Sequence, residues 1–329
     1  MKNNFSLVNT INEHISGRIK SPASIKMIEE GRAAMEKTGI PSEGISIPFE
    51  YRDLVAADSP LIGNEVLDFD GALRNELVFL KAGATFLTGL HGNVKVPRYS
   101  GTDACWLNET DSGNDSAGTF DTFEMKPKRL YATINIGKLF LLQANPSIEE
   151  LLIKDISNAI SEKLEATVLG NAAINTYQPK GFFTGITDDK LVIKGTASWD
   201  KVLQLEKTLN DAKARRDTRA YITTGSGIGV LKNTPKIQGF PNYISQDGKM
   251  NDYPVFYTNN MASGLTATAD EQGLVFANWS DLIIAQWGAI DILVDPFTLS
   301  HLGMVKLGIT GYFDAAKRRD EAFAIGSVK

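Results

Sequence analysis

Apolar residues recur at every fourth position from Ile148 through Leu152, Ile156, Ile160 and Leu164 to Val168, with Leu151, Ile153 and Leu169 beside them. That spacing predicts one long amphipathic helix. Pro146 stops whatever precedes it, Ser147 and Glu150 spell an S-x-x-E capping box, and Gly170 with Asn171 supplies a left-handed end, so the helix is expected over 147–170. Steps of four advance the stripe by roughly 40° beyond a full turn, so the buried face drifts round the rod and meets different neighbours along its length. The rest of the chain reads as sheet, loop or shorter helix.

Ahead of this spine, two short helices are expected in residues 1–40. One carries Phe5, Val8, Ile11 and Ile15; the other has Ser21 as cap, Pro22 at its first position, Ile25 and Ile28 on a thin apolar face, and closes at Gly39. Residues 40–67 turn rich in Pro, Gly and Ser and predict an extended arm that finds its partners elsewhere, on a neighbouring subunit. Asp70 is placed to cap a helix with Leu73, Leu77 and Leu80 on one side, ended by Gly83, and two short strands follow around glycine turns. From Tyr99 to Glu124 aliphatic residues are scarce and DSGNDSAGT marks a turn-rich tip. Alternation resumes at Leu130, Ala132, Ile134 and Ile136, which makes the whole a long hairpin leaving and rejoining one body.

Beyond the spine, Ser198 caps a helix through Trp199, Val202, Leu203 and Leu209, and AYITT is a short buried strand running into GSGIGVLKN. YPVFYTNNM, GLVFANW, DLIIAQW and IDILVD read as four more strands, and Val305, Leu307, Ile309 and Phe313 alternate in the tail. The second body is therefore mixed α and β, and the fold class is α+β.

The chain has 329 residues, 43% hydrophobic and 22% charged, which allows a sizeable core and two domains of common size. A net charge of -5 argues against a protein that works by wrapping nucleic acid with a basic face. One cysteine, Cys105, excludes an intrachain disulfide framework and fits a reducing compartment. No apolar run reaches the ~18 residues of a membrane span, and the first residues lack the apolar core of a signal peptide, so a soluble protein with no membrane partner is expected.

Candidate chemistry is thin. His14, His91 and His301 lie far apart without metal-ligand spacing, and Asp68 and Asp70 imitate only part of a calcium loop. Gly225, Gly227 and Gly229 follow a strand and open a helix, but no phosphate-loop motif is spelled, and Thr224 stands where a nucleophile elbow around Ser226 needs glycine. Glu149 with Glu150, and Asp188 with Asp189, are the carboxylate pairs; the first suits the positive end of a helix. No catalytic, cofactor-binding or metal-ligating residue is assigned, and no cofactor is expected. Two basic runs, Lys213, Arg215, Arg216 and Arg219, then Lys317, Arg318 and Arg319, are candidates to meet acidic residues of another subunit.

Several separate segments, in order, resemble one family. LRNELVFLKAGATFLTGLHGNVKVPRYSG, a long hairpin, the spine helix, Pro179, Lys180 and Gly181 as P-K-G, YPVFYTNNM and the closing RRDEAFAIGSV together look like the major capsid proteins of tailed bacteriophages with the HK97 fold, over about residues 70–329. The resemblance implies N-terminal helices and an arm in 1–69, a peripheral domain in 70–90 and 130–184 built on the spine helix, and an E-loop in 91–129 that reaches over the neighbouring subunit. It further implies an axial domain in 185–290 and C-terminal strands in 291–329 returning to the peripheral domain. The function implied is a non-enzymatic shell subunit that assembles as hexamers and pentamers into an icosahedral virion around a double-stranded DNA genome, in the host cytoplasm. Partners would be a portal protein at one vertex, a scaffolding protein or maturation protease, decoration proteins, and packaged DNA through non-specific contact. Some relatives lock the shell by joining an E-loop lysine to an asparagine near the end of the axial domain with a glutamate's help. From Phe297 to Asp320 this chain has neither asparagine nor glutamate, so no such cross-link is expected. Only some 40 helical residues precede the arm, which points to scaffolding supplied separately or removed. The alternatives are an encapsulin, a bacterial compartment of the same fold enclosing cargo enzymes, and an enzyme with an anion site around Gly225–Gly229.

Overall fold

Two strands of fourteen residues each run antiparallel through the larger sheet and fix where every other element lies. The structure, a computed structural model, describes residues 7–15, 19–38, 44–47, 77–99, 106, 120–139, 146–172, 175–185, 191–265 and 270–329. Its elements before the second body are α1 (Leu7–Ile15), α2 (Pro22–Thr38), β1 (Ile45–Ile47), α3 (Val78–Lys81), β2 (Thr85–Leu87), β3 (Val94–Tyr99), β4 (Phe120–Met125), β5 (Lys128–Gly137) and the spine α4 (Pro146–Val168). After it come α5 (Trp199–Asp211), β6 (Arg219–Thr223), α6 (Gly225–Asn233), β7 (Ser245–Gln246), β8 (Lys249–Met250), β9 (Tyr253–Tyr257), β10 (Gln272–Asn278), β11 (Leu282–Asp295), β12 (Met304–Lys317) and β13 (Phe323–Val328).

The five-stranded sheet has the order β1-β11-β12-β5, with β2 also paired, parallel, to β11. Strand β11 is buried on both faces, which is why its sequence reads as a nearly continuous apolar run. Its side chains still alternate. Leu282, Ile284, Ile292 and Val294 join the main core with Ile156, Ile160, Leu164 and Val168 of α4, while Ile283, Ala285 and Trp287 face a smaller cluster on the other side. The stripe expected on the spine is therefore the buried one in its described half, and it shares one core with strands of both sheets.

The six-stranded sheet has the order β13-β10-β6-β9-β8-β7. Here Val275 and Ala277 of β10 turn to the main core, and Leu274 and Phe276 turn to a second cluster with Val202, Leu205 and Leu209 of α5. Sheet membership changes at Trp279–Asp281: β10 belongs to the six-stranded sheet and β11 to the other. The divide expected at residue 290 falls inside β11; β12 lies in the five-stranded sheet and β13 returns to the six-stranded one.

Several local expectations are corrected. DLIIAQW and IDILVD form one strand, interrupted only by a register shift between Trp287 and Asp291, because β12 pairs with both halves and carries the ladder across. Leu203 is exposed and Leu205 fully buried, since 202, 205 and 209 share the inner face of α5. Leu77 precedes the four-residue α3 rather than lying in a longer helix, and the cap proposed at Asp70 falls outside the described residues. The spine begins at Pro146, one residue ahead of the proposed Ser147 cap, and the side chains of its first turns lie outside the described residues.

The N-terminal elements also differ from the reading of thin faces and an unpaired arm. Helix α2 buries Met27, Ile28 and Met35 and leaves Ile25 exposed. Strand β1 pairs with Ile290–Ile292 of its own chain, because β11 offers a free edge there and Ile45 gains full burial. The remainder of the expected arm, from residue 48, lies outside the described residues.

Candidate assembly surface

The hairpin is built from its root outwards. Strands β3 and β4 pair from Val94↔Met125 to Tyr99↔Phe120. At the root, Val94, Val96, Phe123 and Met125 pack over Ile283, Ala285, Trp287 and Tyr312, on the face of the five-stranded sheet opposite the spine. The indole N–H of Trp287 donates to the carbonyl of Gly92 at 2.7 Å and fixes the start of β3. Asp314 of β12 holds the other side: Oδ1 accepts from Lys128 Nζ at 2.6 Å, and Oδ2 accepts from the backbone N–H of Lys126 at 3.0 Å. The chain passes from β4 to β5 through these contacts, so one buried carboxylate sets the angle at which the hairpin leaves the body.

Among the described residues, the outer half shows no comparable packing against the body. The rings of Tyr99 and Phe120 lie against each other at a tilt of 33° with centres 4.7 Å apart, both exposed, and Trp106 is fully exposed. Arg98 pairs with Asp121 across the strands, and that guanidinium, together with the Thr122 N–H, holds the Asp121 carboxyl below its ordinary value. The tip DSGNDSAGT lies outside the described residues. Other exposed apolar residues gather at extremities: Phe297, Leu302 and Leu139 at the end of the long sheet, and Ile237 and Phe240 in the turn that follows α6. Scattered exposed apolar residues are ordinary, but these sit at the ends of elements, where a neighbour can reach them.

The interior supplies rigidity. Glu165 of α4 is 0% exposed and accepts three hydrogen bonds: from the Val78 N–H at the start of α3 (2.9 Å), from Thr258 Oγ1 (3.0 Å) and from Asn260 Nδ2 (2.9 Å). Burial raises its pKa above the ordinary carboxylate value, and the three donors work against that. A single side chain thus ties the spine to α3 and to the loop after β9. No periodicity pointed to it; the one sequence signal is its place between Leu164 and Val168, inside the buried arc.

The P-K-G segment has a similar role. The N–H of Phe182 donates to the Val168 carbonyl at 2.7 Å, and that of Phe183 to Gly170 at 3.2 Å, so the connection caps the last carbonyls of α4. A Cβ on Gly181 would stand 2.4 Å from the Gly170 oxygen and 2.7 Å from that of Thr167. Gly181→Ala is expected to destabilise the subunit by about 2 kcal/mol or more through overpacking. Thermal unfolding of dispersed subunits checks it, and an unchanged midpoint contradicts it. Phe182 also packs against Trp279 and Phe323, and Lys317 Nζ lies 4.4 Å from the Phe182 ring centre; burial pushes this ammonium down to about 8, with Asp320 opposing the shift.

The chemistry weighed in the sequence finds no common site. His14 is half-buried on α1, His91 and His301 are exposed in turns, and among the described residues no group of three His, Cys, Asp or Glu side chains is placed to hold a metal. Asp68, Asp70, Asp188 and Asp189 lie outside the described residues, as do the side chains of Glu149 and Glu150. At the start of α6 Thr224 Oγ1 accepts from the Gly227 N–H at 2.9 Å, so a side chain already serves that helix end. A Cβ on Gly227 would stand 2.3 Å from Thr223 Oγ1: this glycine answers close packing rather than a phosphate. The two basic runs, far apart in sequence, are brought together, with Arg215 and Arg319 lining one cleft beside the hairpin. No described helix is long and apolar enough to cross a membrane.

Comparison with known proteins agrees with this geometry. The chain is 26% identical over 336 residues to a major capsid protein of Halomonas phage phiHAP-1, covering 98% of this chain and 54% of the relative. It is 23% identical over 257 residues to the major capsid protein of Klebsiella oxytoca phage phiKO2, covering 70% and 55%. The chain thus spans about half the length of the curated relatives it matches. Among solved structures, its fold is similar to the capsid of an empty GTA particle computed with C5 symmetry, with a TM-score of 0.64, 15% identity, and coverage of 81% of this chain and 95% of that one. It is also similar to a structure from Microbacterium phage Oxtober96, with a TM-score of 0.62, 12% identity, and coverage of 82% and 96%. The family model described as the phage capsid family matches residues 67–328, most of the chain and every strand from β2 to β13, and the chain belongs to that family.

Proposed function

We propose that this chain is the repeating subunit of a closed viral shell. The observation that carries the reading is the hairpin, whose root is packed and clamped by Asp314 while, among the described residues, its outer half presents the exposed side chains of Phe120 and Trp106. A lone molecule gains little from such an arrangement, whereas copies on a curved lattice bury it reciprocally. Many modest contacts then add through effective concentration and leave assembly able to correct errors. In this reading the spine and the five-stranded sheet form the peripheral domain, the six-stranded sheet with α5 and α6 forms the axial domain, and residues 91–129 form the overlapping loop. Hexamers and pentamers, a portal at one vertex, scaffolding or a maturation protease, decoration proteins and packaged DNA are the partners that go with it, and the virion is its place after assembly in the host cytoplasm. Two relatives named as phage major capsid proteins favour the virus over a cargo compartment.

The test is electron microscopy and sedimentation of the purified chain across salt and pH. Closed particles are expected; a monodisperse monomer in every condition overturns the proposal. Purified shells should also run as a monomer band on a reducing, denaturing gel, because 297–320 supplies no asparagine or glutamate for a lysine cross-link. A ladder that survives reductant contradicts this.

A further inference from the structure

We propose that Lys317 is a nucleophilic amine that accepts acyl groups from small acyl phosphates, held in an aromatic notch where the P-K-G segment meets the ends of β12 and β13. Its Nζ lies 4.4 Å from the ring centre of Phe182 and 5.4 Å from that of Phe323, and those two rings lie 5.1 Å apart with Trp279 packed on both. All three rings are buried, whereas Lys317 is half-buried and keeps a path to solvent. Among the described residues no carboxylate comes within ion-pair distance of this ammonium and no oxygen accepts its hydrogen bonds. Two other lysines of the body are engaged: Lys128 with Asp314 at 2.6 Å, and Lys201 with the carbonyls of Lys194 and Thr196 at 2.7 Å each. The ring faces attract the charged form of Lys317, but they replace only part of the hydration that it loses. A desolvated lysine without acceptors is biased towards the neutral form, which is the nucleophile.

Charged neighbours act on it from two elements. Across the sheet β11 sets Leu282 opposite Lys317, and β13 contributes the Phe323 ring. In the turn after β12, exposed Asp320 favours the ammonium, and exposed Lys180 on the P-K-G segment opposes it. Asp281, whose carbonyl accepts from the Arg318 N–H at 2.7 Å, spends its carboxylate on the Asn278 amide. Burial outweighs both charges and pushes the Lys317 pKa down to about 8. At pH 7.5 about a quarter of this amine is then neutral, against about one part in a thousand for an ordinary lysine. Lys180 has a second use, since its positive charge draws the phosphate end of the donor to the notch. The neutral nitrogen attacks the carbonyl carbon and forms the amide C–N bond, while the C–O bond to the phosphate breaks. Phosphate leaves with that electron pair, and the proton shed by nitrogen passes to water. The product is an uncharged amide, which suits the apolar notch better than an ammonium does.

Dispersed subunits suffice for the test, so its failure leaves the shell reading standing. In acetyl phosphate at about pH 7.5, peptide mass spectrometry is expected to find Lys317 acetylated about tenfold or more faster than exposed Lys232 and Lys249. Its rate should level off above about pH 8.5, while theirs keep rising to about pH 10. In concentrated urea the preference should vanish, because the notch is a product of folding. Two exposed side chains tune the site without entering the core. At about pH 7, Asp320→Asn should speed acetylation of Lys317 by about two- to threefold, and Lys180→Gln should slow it by a similar factor. Equal rates at Lys317 and the exposed lysines, a pH profile that follows theirs, a preference that survives urea, or indifference to both variants overturns the proposal.

Discussion

Glu165→Ala lowers the stability of the subunit by about 3–5 kcal/mol, the scale for leaving three buried donors without an acceptor at about 1–3 kcal/mol each. The loss is large because three donors are stranded together: the Val78 N–H, the Thr258 hydroxyl and the Asn260 amide all point at the vacated site. On a domain of this size that corresponds to a fall in unfolding midpoint on the order of 10 °C. Glu165→Gln costs less, about 1–2 kcal/mol, since its carbonyl still serves Thr258 and Asn260 while its NH2 group is brought against the Val78 N–H. The sign of the pH dependence follows from burial, which raises the folded-state pKa above the ordinary 4.5. The folded chain then holds a proton that the unfolded chain has released, so this group's contribution is fully present below that ordinary value and is lost as pH rises through the folded pKa. Denaturant unfolding of dispersed wild type at a series of pH values shows that decline, and Glu165→Gln flattens it. A wild-type slope that survives the substitution, or an alanine variant as stable as wild type, contradicts the assignment.

Much of the fold could be read from local pattern, and what could not be read is long-range. The spine is marked by a fourfold stripe and Pro146, and it forms within two residues of its expected ends, with Ile156, Ile160, Leu164 and Val168 buried. Strand β5 keeps the alternation of Leu130, Ala132, Ile134 and Ile136 inward and their neighbours outward. Sequence spacing carried no sign that β1 pairs with residues more than two hundred positions later, or that DLIIAQW and IDILVD are one strand, because both depend on a partner strand and not on the segment itself. Glu165 and Asp314 were silent for a related reason. An acid on a helix or strand is by default a solvated one, and only the folded chain shows donors from distant segments converging on it. The same holds for Arg215 and Arg319, whose runs were visible separately while the cleft that unites them was not.

Asp314→Ala is expected to loosen the hairpin and to cost about 2–4 kcal/mol, by leaving Lys128 without its partner and the Lys126 N–H without an acceptor. The lower end allows for Lys128, whose side chain stays 22% exposed and regains water when the carboxylate is lost. The energy is concentrated at one joint, so the variant should remain folded in its two sheets while the passage from β4 to β5 opens more often. Limited trypsin digestion reads this directly, because Lys126 and Lys128 lie at that joint: cleavage there should accelerate by about tenfold or more, on the scale of 1.4 kcal/mol of opening free energy per decade. Particle yield should fall with it, since the outer half of the hairpin no longer leaves the body at one fixed angle. A structural pair and a mere surface bridge part company in the double variant. Removing both charges with side chains of similar volume, Asp314→Leu with Lys128→Met, eliminates the stranded ammonium, and a buried pair replaced on both sides is often close to neutral. The double variant should therefore recover more than half of the stability lost in Asp314→Ala, yet regain less of the particle yield, because the introduced leucine offers no acceptor to the Lys126 N–H. If trypsin cuts the single variant no faster than wild type, Asp314 does not clamp the hairpin, and the rigid root on which its exposed aromatic rings depend must be sought in Trp287 and the packing beneath it.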